Sequence, residues 1–294
     1  MSENDNRELR NSIFAAQQAA MSSNSNGVPV VSREEYAKRE LGIEIPVDAV
    51  PLPSAGKVYG LEHPLHNATQ IEYRAMTARD EDILMSRALI KKGTVISELI
   101  KACLINPAVD VGSLLTGDRN ALMIAVRISG YGREYAANWN CPSCEFKNEI
   151  EFDLTELPIK PLDLEPANGG ENLFRFKLPV SNKTVGFKFL TGKEEEEIAQ
   201  QMEMRKKKGI VTENVVTTRL LNSIVEIDGN RERGLISKLV NYMPAKDSLE
   251  LRKFMEEHEP GVHMNVTFNC RSCDHTEEGV LPMGSTFFWP NSRK

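Results

Sequence analysis

Cys141-Pro-Ser-Cys144 and Cys270-Arg-Ser-Cys273 are the two stretches whose reading decides how this chain folds. Each is a CxxC turn, a geometry that lets two thiolates converge on one metal ion, and a structural zinc takes four N or S ligands in a tetrahedron. Four of the five cysteines lie in these turns. The competing reading is two separate redox or unligated pairs, but a thioredoxin-like CxxC sits in a βαβ context. Here short alternating segments flank both turns on both sides, as in a zinc knuckle. The expectation is one structural zinc per chain, held by Cys141, Cys144, Cys270 and Cys273. Between the turns lies a separation of 270 − 144 = 126 residues, unusually long for one ribbon, so something must bring the halves together.

Outward from the first turn, Tyr135, Ala137 and Trp139 alternate into it. Beyond it Phe146, Ile150, Phe152 and Leu154 alternate with acidic and basic residues, the pattern of a half-buried strand. Upstream, a strand is expected at Ile71-Glu-Tyr-Arg-Ala75. The capping-box pattern Thr77-Ala-Arg-Asp80 opens a helix through Ile83, Leu84 and Ala88. A second helix carries Val95, Ile96, Leu99, Ile100, Cys103 and Leu104 on one stripe and stops before Pro107; Cys103 therefore reads as core rather than as a nucleophile. A third helix runs from about Asp118 to Ser129, ended by Gly130-Tyr-Gly132.

The second half repeats this order. Val185, Phe187 and Phe189 lie 114 residues beyond Ile71, Tyr73 and Ala75, and Thr191-Gly-Lys-Glu194 lies 114 beyond Thr77–Asp80. Leu220, Leu221, Ile224 and Val225 match Leu99, Ile100, Cys103 and Leu104 at an offset of 121; Asp247 and Leu251 match Asp118 and Leu122 at 129, as Cys270 matches Cys141. The offset grows between elements, where loops absorb insertions, near Arg205–Gly209 and Asp228–Gly234. The expectation is an internal duplication, against the alternative of chance similarity between halves of low identity, with an α+β fold: short strands and about three helices per repeat, over residues 51–165 and 166–294, joined by a shared four-cysteine zinc knuckle. A pseudo-twofold axis would bring the two CxxC turns together.

Residues 1–50 read as a flexible tail. Ser22–Gly27 has linker composition, preceded by a short helix candidate on Leu9, Ile13, Ala16 and Ala20, and Ser32 with Glu35 could cap another. Pro46, Pro51 and Pro53 suggest an extended connector. Near the other end, three adjacent aromatics in Phe287-Phe-Trp289 read as a core plug rather than an interaction patch.

With 40% apolar and 27% charged residues, a net charge of −6 and a pI near 5.6, the chain does not suit a nucleic-acid binder built on a broad basic face. No apolar run is long enough to span a bilayer. The polar, acidic start is unlike a signal peptide, and free cysteines suit a reducing cytoplasm. His63, His66, His258, His263 and His275 show no HExxH-type spacing, and no serine elbow or phosphate loop accompanies them. His275 could replace a cysteine ligand, although a surface role is the simpler reading. No active site is legible.

Taken together, Leu52-Pro-Ser-Ala-Gly-Lys-Val-Tyr59, Met76-Thr-Ala-Arg-Asp-Glu-Asp-Ile-Leu84, Leu114-Leu-Thr-Gly-Asp118 and Tyr131-Gly-Arg-Glu-Tyr135, with both CxxC turns and Phe287-Phe-Trp-Pro290, resemble a known family. It is the baseplate hub assembly protein family of T-even-like contractile-tailed bacteriophages, and the resemblance spans roughly residues 50 to 290. It implies a non-enzymatic viral protein that binds other baseplate or hub proteins, without a small-molecule substrate. It would act in the host cytoplasm during assembly, with the virion tail baseplate as a second location. The alternative class is a zinc-ribbon regulator contacting nucleic acid or the transcription machinery, against which the acidity counts.

Overall fold

The computed structural model describes residues 37–207, 214–281 and 285–288. The tail helices expected around residues 9–20 and at Ser32 lie outside these. The chain divides into two compact units, residues 1–45 and 46–294. Of the first, the described part is a π-helical turn, Ala37–Leu41, and an exposed Lys38–Glu44 ion pair. The second is an α+β arrangement of small antiparallel sheets and packed helices. Among the described residues no helix is long and apolar enough to cross a membrane.

The second unit begins with strand β1 (Val47–Pro51), paired antiparallel with β2 (Gln70–Arg74) from Val47↔Arg74 to Pro51↔Gln70. This corrects the extended connector expected here, while the strand expected at Ile71 is present as β2. The intervening segment 52–69 buries Leu52, Val58, Tyr59 and Leu65, a loop packed by its own side chains. Its turn depends on Gly56, at φ +68, where a Cβ would stand 2.4 Å from Ala68 N and Leu65 O. Non-periodic burial of this kind leaves no pattern in the sequence.

Helix α1 (Ala78–Met85) starts at the Thr77/Asp80 capping box as expected. It breaks at Ser86, which is extended, and α2 (Arg87–Lys92) follows, ended by Gly93 in the left-handed region. The single helix through Ala88 is thus two. Helix α3 (Val95–Cys103) buries Leu99, Ile100 and Cys103 completely; burial, with a smaller push from Asp80, lifts the Cys103 thiol to about 12, which agrees with a packing role. Helix α4 (Thr116–Tyr131) runs through the core. The hairpin of β3 (Glu134–Asn140) and β4 (Lys147–Asp153) follows, then a two-residue strand β5 (Ile159–Lys160).

The later part of the chain uses a similar order. Strands β6 (Phe174–Lys177) and β7 (Thr184–Phe187) form a hairpin, followed by α5 (Gly192–Lys207) and α6 (Val215–Ser223). Ile224 and Val225, expected to continue that helix, instead open strand β8 (Ile224–Ile227), which pairs with β7 through Phe187↔Ile224 and Val185↔Ile227. The β-branched Ile-Val-Glu-Ile run favours the pleated sheet. At the corresponding place in the first half, Leu104 makes a single bridge to Tyr73. The loop expectation over 228–234 fits the Asp228-Gly229 turn, but α7 (Arg233–Tyr242) begins at its end. Helix α8 (Ala245–His258), strand β9 (Gly261–Val262) and a hairpin of β10 (Asn265–Asn269) and β11 (Thr276–Val280) complete the order.

Two buried aspartates tie the hairpins to the long helices. Asp118, in the first turn of α4, accepts Ser54 N–H at 2.9 Å, Ser54 Oγ–H at 2.5 Å and Tyr59 O–H at 2.6 Å. Asp247, in the first turn of α8, accepts Val180 and Ser181 N–H at 2.7 and 3.0 Å. Both residues are fully buried; at Asp118 burial outweighs the Ser54 and Tyr59 bonds and raises the carboxyl, whereas at Asp247 burial is outweighed by the Val180 and Ser181 bonds and the carboxyl is lowered. Asp118→Asn replaces an acceptor with a donor facing these groups. It is expected to lower stability by about 2 kcal/mol, read as a shift of the urea midpoint at constant slope.

The two parts meet directly. β5 pairs with β9, Leu115 bridges Thr191, and α4 passes so close to residues 260–261 that a Cβ on Gly117 would stand 1.9 Å from Pro260 O. Arg127 of α4 is 2% exposed and donates to Phe287 O, Gly132 O and Glu134 O at 2.8, 2.8 and 3.2 Å. Phe287 and Phe288 are fully buried, with Phe287 edge-on to Tyr135. For these two aromatics the core reading holds; Trp289 lies outside the described residues.

Candidate metal centre

Each CxxC turn is the tip of a hairpin with the same register. β3 and β4 close at Asn140↔Lys147, β10 and β11 at Asn269↔Thr276, each partner 129 residues on. Inside the turns, Cys141 N–H donates to Phe146 O at 3.0 Å and Cys270 N–H to His275 O at 2.8 Å. The residue after each second cysteine, Glu145 at φ 59 and Asp274 at φ 55, takes the left-handed conformation that turns the chain back into the hairpin. The backbone thereby points both thiols of each turn to one side.

The fold sets the two tips against each other. Trp139 stacks on Phe268 with centroids 5.5 Å apart, and Phe152 meets Phe268 edge-on at 5.7 Å. This brings Cys141 Sγ to 3.7 Å from Cys273 Sγ and Cys144 Sγ to 3.6 Å from Cys270 Sγ. All four sulfurs lie within 4.8 Å of one another, and all four cysteines are free thiols. Zinc–sulfur bonds of about 2.3 Å would place sulfurs about 3.8 Å apart on a tetrahedral edge, so the donor set and its spacing fit such an ion. Cys141 and Cys270 are buried; Cys144 and Cys273 are exposed.

Crowding makes the thiols unlike one another. At Cys144 the Phe146 N–H favours the thiolate, but the neighbouring sulfurs of Cys273, Cys270 and Cys141 and local burial oppose it, and the thiol is pushed up to about 12. Burial also opposes ionisation of Cys270. N–H groups of Ser272, Cys273 and Asn148 more than offset that, with Cys144, and draw it down to about 6. Four sulfurs this close cannot all ionise cheaply without a cation between them.

Among the described residues this is the one group of three or more potential ligands that converges. His275 is outside it and contributes its backbone carbonyl to the second turn. His63 bonds Ser113, His66 bonds Tyr59 O and His258 bonds Asp163, none of them part of the cluster. One participant was not legible in the sequence. Asn148 is 2% exposed and lies against Cys270, whereas Phe146, expected to face inward, is 45% exposed. Asn148 shares the inward register with Ile150 and Phe152, and that parity was the available signal.

No curated protein and no solved structure matches the chain. A family model described as T4 bacteriophage base plate protein matches residues 49–289, a stretch that holds both hairpins and all four clustered cysteines. The chain therefore belongs to the T4 bacteriophage base plate protein family.

Proposed function

We propose that this protein is a zinc-stapled, non-enzymatic subunit or assembly factor of the phage tail baseplate, built around the central hub, that works by binding other baseplate proteins. The observation that carries this reading is the family match across residues 49–289 together with the four-thiol cluster inside it. Zinc is the favoured ion because four thiolates in a tetrahedron are the donor set of closed structural sites, which leave no open position for catalysis. When bound, zinc would supply a cross-link and no reaction step. Cys141, Cys144, Cys270 and Cys273 would hold it, while the stacked Trp139 and Phe268 keep the hairpins in register. Such a protein would be present in the host cytoplasm during assembly and in, or transiently on, the virion tail.

Residues 51–165 and 166–294 are, in this reading, two copies of one ancestral unit behind an N-terminal segment, residues 1–50, whose last residues already pair in β1. Supporting pairs recur at the offset of their own elements: Arg74–Asp80 and Lys188–Glu194 at 114, the buried Asp118 and Asp247 and the two hairpin registers at 129. Trp139 stacking on its own counterpart, Phe268, is the contact a local twofold axis would make.

Two measurements test the proposal. Metal analysis of reduced native protein should find one zinc per chain, unchanged in Cys103→Ala; two metals, or none, would refute the shared site. Affinity capture from infected cells, compared by mass spectrometry with purified particles, should recover baseplate proteins. Recovery of nucleic-acid enzymes instead would overturn the structural role.

A further inference from the structure

Asn148 is a polar side chain buried where two hairpins meet. Its Oδ1 accepts Arg271 N–H at 2.9 Å, and its Nδ2 donates to Phe146 O at 3.1 Å and to Cys270 Sγ at 3.6 Å. A flipped amide would set NH2 against N–H and oxygen against oxygen, so the partners fix its orientation. One side chain of β4 thus grips both the backbone and a sulfur of the opposite turn, 122 residues away.

The arrangement is one-sided. The position 129 residues on from Asn148 is Glu277 in β11, which is exposed and makes no side-chain hydrogen bond to the first turn. Cys270 Sγ accepts from Asn148 and from Ser272 N–H at 3.4 Å, and it lies at the buried end of the cluster. Two near-identical hairpins therefore present unequal sulfurs.

Resting on the zinc reading above, we infer that Asn148 is a positioning residue of the metal centre: it aims Cys270 across the join and makes it the ligand that holds the ion longest. An N–H···S bond lowers the energy of the sulfur lone pairs, while the bond to Arg271 N–H fixes where that sulfur stands. Groups that orient a ligand in this way commonly change metal affinity about 10–100-fold when removed. The exposed Cys144 and Cys273 are then the side from which a competing chelator opens the site.

The test uses the full-length chain carrying Asn148→Ser, Asn148→Asp or Glu277→Ala. Asn148→Asp keeps the acceptor for Arg271 N–H and the side-chain shape but loses the donor to sulfur. Asn148→Ser shortens the side chain and removes both contacts, so one variant still reports if the other fails to fold. Zinc transfer to a chromogenic chelator should be at least tenfold faster in both Asn148 variants and unchanged in Glu277→Ala. In cobalt-substituted protein the sulfur-to-metal charge-transfer band should move to lower energy in the Asn148 variants, a change that mere loss of packing does not cause. Wild-type transfer rates and an unshifted band in the folded variants would overturn the inference. A wild-type protein that binds neither zinc nor cobalt would instead refute the metal reading itself.

Discussion

Changing Cys270 and Cys273 together to serine is expected to abolish metal binding and to strip hydrogen-exchange protection from the other hairpin, residues 134–140 and 147–153. Two remaining thiolates cannot complete a tetrahedral structural site. The first hairpin forms a two-stranded sheet of its own, and an isolated hairpin of that size is marginally stable in water. Structural zinc supplies on the order of 10 kcal/mol in small domains. Here the two parts also meet through β5–β9, Leu115–Thr191 and the Arg127–Phe287 bond, so loosened hairpins are expected rather than global unfolding. The protection should fall by several hundredfold in the first hairpin while α3 and α4 stay protected. Loss confined to residues 262–281 would mean that each turn stands alone, and the shared centre would have to be given up.

Arg74→Met is expected to produce the largest loss of stability from a single substitution away from the cysteines. Arg74 and Asp80 have side chains 5% and 2% exposed and are joined by bonds of 2.6 and 3.0 Å. Removing the guanidinium leaves the Asp80 carboxylate buried beside Thr77 without its cation, a change worth about 3–5 kcal/mol. Lys188→Met, at the matching but more open pair where the side chains are 27% and 23% exposed, should cost well under half of that, about 1 kcal/mol or less. The pH dependence carries a sign. Burial opposes ionisation of Asp80, but Arg74 and Thr77 outweigh it and hold the carboxyl below its usual range. Its contribution is therefore present above the ordinary carboxylate pKa and is lost as pH falls through the lower folded value. Without Arg74 burial dominates, so the acid-unfolding midpoint should rise; an unmoved midpoint would show that the pair is not what protects the fold in acid.

What could be read in advance was whatever repeats with a short period or sits at a fixed spacing. The alternation of Tyr135, Ala137 and Trp139 marked β3, and the Thr77/Asp80 box marked the start of α1. The equal offsets of the two CxxC turns pointed to tips that the fold does bring together. What escaped depends on tertiary context. The loop over 52–69 is buried through Asp118, 64 residues from Ser54, and no local pattern encodes that contact. The Ile224–Ile227 strand looked helical because its apolar residues also suit a helix stripe, and only pairing with β7 decides. Ile236 and Val240, buried at i and i+4 in α7, were readable and were hidden by the glycine-rich approach to that helix. Asn148 was passed over because an amide in an alternating strand reads as solvent-facing.

The bond from Arg127 to Phe287 O also sets a clock on the ribosome. The two residues are 160 positions apart, and at about 5–20 residues per second the second is made some 10–30 s after the first. Throughout that interval Arg127 and Tyr135 lack the aromatic that packs on them, and for most of it the first CxxC turn, at the far end of the hairpin, lacks its opposite number. A nascent chain in this window carries an unfinished first half with exposed apolar surface and two unshared thiols. Such a state is prone to aggregation, and the arrival of the second hairpin and Phe287 is what ends it.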